Sequence, residues 1–143
     1  GWIRRTAGAI ELFNSYEQTG GGLSIDWTTP TLDIDLAATL TTTLRTDLIR
    51  IPVGINVEAR LNIGLLDAAV NGAYFPLPSV TDVAPSETAT PLYTFRTEVA
   101  AQGSFRSHTI RSRGDGKISA RASVATIDTY KVVTIGFDWA RRN

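Results

Sequence analysis

The sequence feature that most constrains the fold is an alternation of apolar and polar side chains from position 49 to 65. Ile49, Ile51, Val53, Ile55, Val57, Ala59, Leu61, Ile63 and Leu65 hold the odd positions, with Arg50, Asn56, Glu58, Arg60 and Asn62 between them. Successive side chains of a strand point to opposite faces, so this run predicts a strand buried on one side and wet on the other. Fully extended it would reach about 55 Å, longer than ordinary strands, and Pro52 and Gly54 are expected to mark a bend, a bulge or an edge position.

Leu32, Ile34, Leu36, Ala38, Leu40, Leu44 and Leu48 hold the even phase, with Asp33 and Asp35 opposed, so a phase change at 48/49 separates two elements. Leu36, Leu40, Leu44 and Leu48 also stand four apart, which leaves a short helical turn within 37–47 as a competing reading. The run of Thr39, Thr41, Thr42 and Thr43 argues against a stable helix. A first strand is expected over 2–13, with Gly20, Gly21 and Gly22 dividing it from another at 23–27. After a proline-rich loop at 71–91, alternation returns in Tyr93, Phe95, Thr97, Val99 and Ala101. Segments 105–113 and 117–125 flank Gly114-Asp115-Gly116 as a hairpin would, and Ile127, Val133, Ile135, Phe137 and Trp139 share a face of the last strand.

Seven to nine strands, no long helix and 19 threonines in 143 residues describe one all-β domain over 1–143, a two-sheet antiparallel β-sandwich. A jelly roll is one connectivity within that class. No segment is long enough for a helical crossover or a transmembrane span, and no signal-peptide pattern opens the chain.

Composition narrows the chemistry. There is no cysteine, no methionine and one histidine, which excludes thiol nucleophiles, disulfides, thiolate metal sites and two-histidine metal motifs. A histidine-dependent triad could form only around His108, and Ser107, its neighbour, falls on the opposite strand face. Asp26, Asp33 and Asp35 could in principle form an acid pair or a calcium site, but alternating aspartates on a threonine-rich strand are ordinary solvation and match no dedicated calcium loop. Arg113-Gly114-Asp115 spells an integrin-binding tripeptide, yet glycine and aspartate are what a tight turn requires. These residues imply no catalytic group, no cofactor and no metal.

Charge is zero overall but unevenly spread. Positions 1–98 carry 11 acidic and 6 basic side chains, and positions 99–143 carry 3 and 8, so a −5 body is joined to a +5 tail. Arg106, Arg111, Arg113, Lys117 and Arg121 are therefore expected to gather at one end of a sheet and contact other subunits. The sparse aromatic interleaving argues against nucleic acid. Tyr74 and Phe75, in a long loop, are the candidate partner-contacting aromatics.

The last two segments are Gly116-Lys117-Ile118-Ser119-Ala120-Arg121 and Gly136-Phe137-Asp138-Trp139-Ala140-Arg141. This stretch resembles the C-terminal ends of tailed-bacteriophage virion proteins of the tail-fibre type, which share a G-x-I-x-A-R strand and a terminal G-aromatic-x-x-x-R signature. The segment from Trp27 to Val83, with Phe75-Pro76-Leu77-Pro78, is similar in layout. The resemblance implies a non-enzymatic virion component of the tail-fibre, tail-tip or head-decoration class. It would assemble with other copies of itself, a trimer being favoured, and with other virion proteins, and would touch a host-surface glycan, without nucleic-acid binding or membrane insertion. The competing expectation is a carbohydrate-binding module or lectin-like adhesin.

Overall fold

A computed structural model describes residues 5–6, 9–10, 12–76, 94–96, 100–112, 114–123 and 126–140. These residues contain strands and no helix: β1 (Arg5–Thr6), β2 (Ala9–Ile10), β3 (Phe13–Gln18), β4 (Gly22–Leu40), β5 (Arg45–Leu48), β6 (Glu58–Leu66), β7 (Gly72–Tyr74), β8 (Thr94–Arg96), β9 (Ser104–Arg111), β10 (Lys117–Ala122) and β11 (Ile127–Trp139). One sheet runs β3-β4-β11-β6-β9, a second β5-β10-β7-β8, and β1 and β2 pair with each other. All pairings are antiparallel.

The pairing is nested. Leaving the β1–β2 pair and the edge strand β3 aside, the first of the remaining eight strands pairs with the last (β4 with β11), the second with the second-last (β5 with β10), then β6 with β9 and β7 with β8. The two larger sheets share one core, so the two-sheet antiparallel β-sandwich read from the sequence is the observed architecture. The five-stranded sheet supplies large side chains, among them Ile34, Leu61, Ile63, Tyr130, Val132 and Phe137, while the four-stranded sheet meets them through Ala73, Ile118, Ala120 and Ala122.

The long alternation resolves into two parts. Only 58–66 is strand; 49–57 is an irregular loop in which Gly54, at φ +94°, takes a left-handed conformation that side chains disfavour. Ile49, Ile51 and Val57 are nevertheless buried, and Val53 projects at 70% exposure. No helical turn forms at 37–47: β4 continues to Leu40, and β5 begins at Arg45. Gly114–Gly116 does not close a hairpin within one ladder either. β9 lies in the five-stranded sheet and β10 in the four-stranded one, so the turn crosses between sheets and docks on the irregular loop, the Gly54 amide donating to the Gly114 carbonyl at 2.7 Å.

Two bulges correct the expected faces. Ile34 pairs with Val132 and Leu32 with Val133, which leaves Asp33 as an extra residue in β4 and turns Leu32 outward, 42% exposed. In β11, Thr134 opposes Leu61 and Gly136 opposes Arg60, so Ile135 is extra there. The inward residues are therefore Tyr130, Val132 and Thr134 before the bulge and Phe137 after it, whereas the sequence placed Val133 and Ile135 with Phe137.

Gly136 sits at that bulge beneath the Arg60 side chain. A Cβ there would run into the Ile25 carbonyl oxygen and come within 2.8 Å of Arg60 Nη2. Gly136→Ala is expected to destabilise the fold by about 2–3 kcal/mol through overpacking, measured as a lower midpoint of urea unfolding. Gly20→Ala, in the open turn between β3 and β4, meets no neighbour and gives the control for backbone strain alone.

Candidate functional site

Two polar clusters flank the β4–β11 ladder. In the first, the Asp33 bulge turns its carboxylate toward the loop after β5. Oδ2 accepts the Arg50 backbone N–H at 2.8 Å and the Thr134 hydroxyl, and Arg50 Nε lies 3.8 Å from Oδ1. Arg50 also donates to the Thr31 hydroxyl, and its carbonyl accepts Trp27 Nε1–H at 3.0 Å. Both charged side chains are about nine-tenths buried, so the reading of Asp33 as a solvated outward residue is corrected: the bulge places it against a cation and two donors. This cluster pins the 49–57 loop to the sheet.

Removing one charge from such a pair leaves the other uncompensated. Asp33→Asn is expected to cost roughly 3–5 kcal/mol, read as a shift of the chemical-denaturation midpoint. An unchanged midpoint would show that Asp33 does not anchor the loop.

The second cluster lies on the outer face of the five-stranded sheet. Arg111, Glu58 and Asp138 are register partners across β9, β6 and β11, and Ser24 follows on β4. Ser24 Oγ donates to Asp138 Oδ1 at 2.6 Å, and Arg60 Nε stands 3.4 Å from the same oxygen. Arg60 Nη2 donates to the Ile25 carbonyl at 2.8 Å and to Asp26. Next to this row opens a groove of about 630 Å³, with Ile55, Val57 and Trp139 as apolar walls and Glu58, Arg111 and Asp138 as charged ones. Its lining offers carboxylate acceptors, a guanidinium donor and an indole side chain. Sequence alternation alone could not bring Glu58, Arg111 and Asp138 together, because the row joins three strands distant in the chain.

The residues singled out by sequence separate. Phe75 is 1% exposed and packs on Tyr130, with ring centroids 6.3 Å apart, so it belongs to the core and is corrected as a loop contact. Tyr74 is half-buried on β7, where it faces Arg121 of β10. Lys117 and Arg121 share the outer face of the four-stranded sheet, Arg111 stands on the outer face of the other sheet, and Arg106 is aligned with Ile63 on the inner side of β9. The expected gathering of these cations at one end of a sheet therefore does not occur: β9 and β10 belong to different sheets. Arg113 lies outside the described residues, as do Trp2, Leu77, Pro78 and Tyr93. Asp35 pairs with Lys131 at 3.1 Å. Among the described residues, no group of three histidine, aspartate or glutamate side chains could hold a metal ion.

Ser107 Oγ donates to Asn62 Oδ1 at 2.6 Å on the outer face, away from His108, which is aligned with Leu61. Burial, and secondarily Arg106, lower the His108 pKa. The unfolded chain therefore takes up a proton near pH 6.5 that the folded chain resists, and stability declines as pH falls from there toward the folded-state pKa. A pH series of unfolding midpoints is expected to show this decline in the wild type and to lose it in His108→Gln.

No family model, curated protein or solved structure matches this chain.

Proposed function

We propose that this chain is a non-enzymatic structural component of a bacteriophage particle, of the tail-fibre, tail-tip or head-decoration class, acting through contacts with other subunits and with the host surface. The observation that carries the reading is the nested pairing of eight strands, β4 with β11 inward to β7 with β8. We read this nesting as the jelly-roll form of the sandwich, an architecture used by viral capsid and lectin domains. A fold alone serves many functions, so the reading also leans on the resemblance of the 116–141 segment to tailed-phage virion proteins. Residues suited to contacts stand on the outside: Leu32, Leu48, Leu66 and Phe105 are 42%, 60%, 37% and 77% exposed.

A carbohydrate-binding role is the second reading, favoured by the groove beside Trp139. Hydroxyl groups of a sugar can both donate to Glu58 and Asp138 and accept from Arg111, while its C–H face meets the apolar walls.

Light scattering of the purified chain separates the two, together with mass spectrometry of purified particles. The assembly reading expects a stable oligomer, threefold in mass, and the chain among the particle proteins. A monomer at high concentration that is absent from particles overturns it. The glycan reading expects saturable binding on a glycan microarray that Glu58→Gln abolishes without altering the melting temperature.

A further inference from the structure

We infer that the five-stranded sheet continues from one copy of the chain into the next, with β3 of one copy lying beside β9 of its neighbour. The inference rests on the assembly reading and names the contact that would carry it.

β3 and β9 are the two edges of that sheet. β3 is exposed at all six positions, on both faces, so the second sheet does not cover it. Edge strands are ordinarily protected by lysine, proline, a bulge or extreme shortness. Phe13-Asn14-Ser15-Tyr16-Glu17-Gln18 has neither lysine nor proline, and its register with β4 runs unbroken from Phe13 to Gln18. Such an edge is a template for another strand.

Charge selects which strand. β3 carries Glu17 and no cation, whereas β9 carries Arg106 and Arg111 and no carboxylate. Two β9 edges meeting across a twofold axis would set arginines against one another, and like charges across strands are destabilising. β3 against β9 sets opposite charges together.

Direction selects the register. Four antiparallel steps separate β3 from β9, so the two run the same way, and a copy added at the edge enters in parallel. Glu17, aligned with Leu23, and Arg106, aligned with Ile63, both lie on the inner side of the sheet. Placing Glu17 beside Arg106 also brings Tyr16, 53% exposed, beside Phe105, 77% exposed, on the outer side. An ionic and an aromatic pair are thus satisfied in one register, with Gln18 beside Ser107. Because the contact joins unlike edges it is head-to-tail, and it yields a closed ring where the rotation closes.

The absence of cysteine from the chain makes the contact directly testable. Gln18→Cys, Ser107→Cys and the Gln18→Cys/Ser107→Cys double variant are oxidised under mild conditions and resolved on non-reducing gels, alongside Tyr16→Cys. The double variant is expected to give a disulfide-linked ladder ending at the ring size, and an equimolar mixture of the two single variants a covalent dimer that neither forms alone. Glu17→Arg, at an exposed position, is expected to weaken association roughly tenfold. Cross-linking of Tyr16→Cys with itself, which reports β3 against β3, overturns the inference. So does an oligomer by light scattering in which the double variant forms no ladder, or in which Glu17→Arg associates as the wild type does. A monomeric wild type removes the assembly reading as well, and that result is read separately from the gels.

Discussion

The pairing of β4 with β11 is the contact on which the rest of the molecule depends. It joins residues as distant in sequence as Leu23 and Trp139, and the larger sheets' other strand pairs, β3 with β4 excepted, lie within the loop it closes. Closing so long a loop is entropically unfavourable until the contacts inside it form, so topology of this kind folds slowly. The two polar clusters address the same difficulty at the level of side chains. Asp33 and Thr134 meet at one bulge, and Arg60 spans Asp26 and Asp138 beside the other. Each ties β4 to its distant partner where the ladder itself is interrupted. Bulges that would weaken a plain ladder are in this way the points at which it is fastened.

The class of fold was legible in the sequence because period-two alternation is a local property. Leu61, Ile63 and Leu65 announce their face without reference to any partner. What failed was whatever depended on the partner. Leu32 and Ile135 left their expected faces because an extra residue in one strand shifts the phase relative to a neighbour about a hundred positions away. The segment around Gly114–Gly116 has the composition of a hairpin turn, and composition does not tell a turn within a sheet from one that crosses between sheets. Phe75 illustrates a third limit. Proline-rich surroundings suggested a surface loop, yet the ring lies one residue past β7 and falls against Tyr130. The row of Ser24, Asp138, Glu58 and Arg111 was invisible for the same reason as the nested topology, since four strands must be in register before it exists.

Division of the chain into an acidic body and a basic tail takes a different form in three dimensions. Lys131 with Asp35 joins a tail cation to a body anion, but Arg60 with Asp138 runs the opposite way. The tail is not a separate region: β11 lies between β4 and β6 in the middle of the five-stranded sheet, and β10 between β5 and β7 in the other. Most of the asymmetry is therefore interleaved strand by strand. What remains of it in the five-stranded sheet is an edge with one carboxylate and an edge with two guanidiniums.

The alanine lining of the four-stranded sheet has a consequence for how such a molecule can change over time. With Ala73, Ala120 and Ala122 facing large residues opposite, the gap between the sheets is set by side chains of one sheet and accepted by the other. Enlarging any of these alanines would force the layers apart along their length, so the inner positions of β7 and β10 are closed to variation. Their outward neighbours Tyr74, Lys117 and Arg121 carry no such restriction. Each strand thus holds two interleaved texts, one fixed by volume and one free to be rewritten, and a surface encoded in this way can diversify while the body beneath it stays the same.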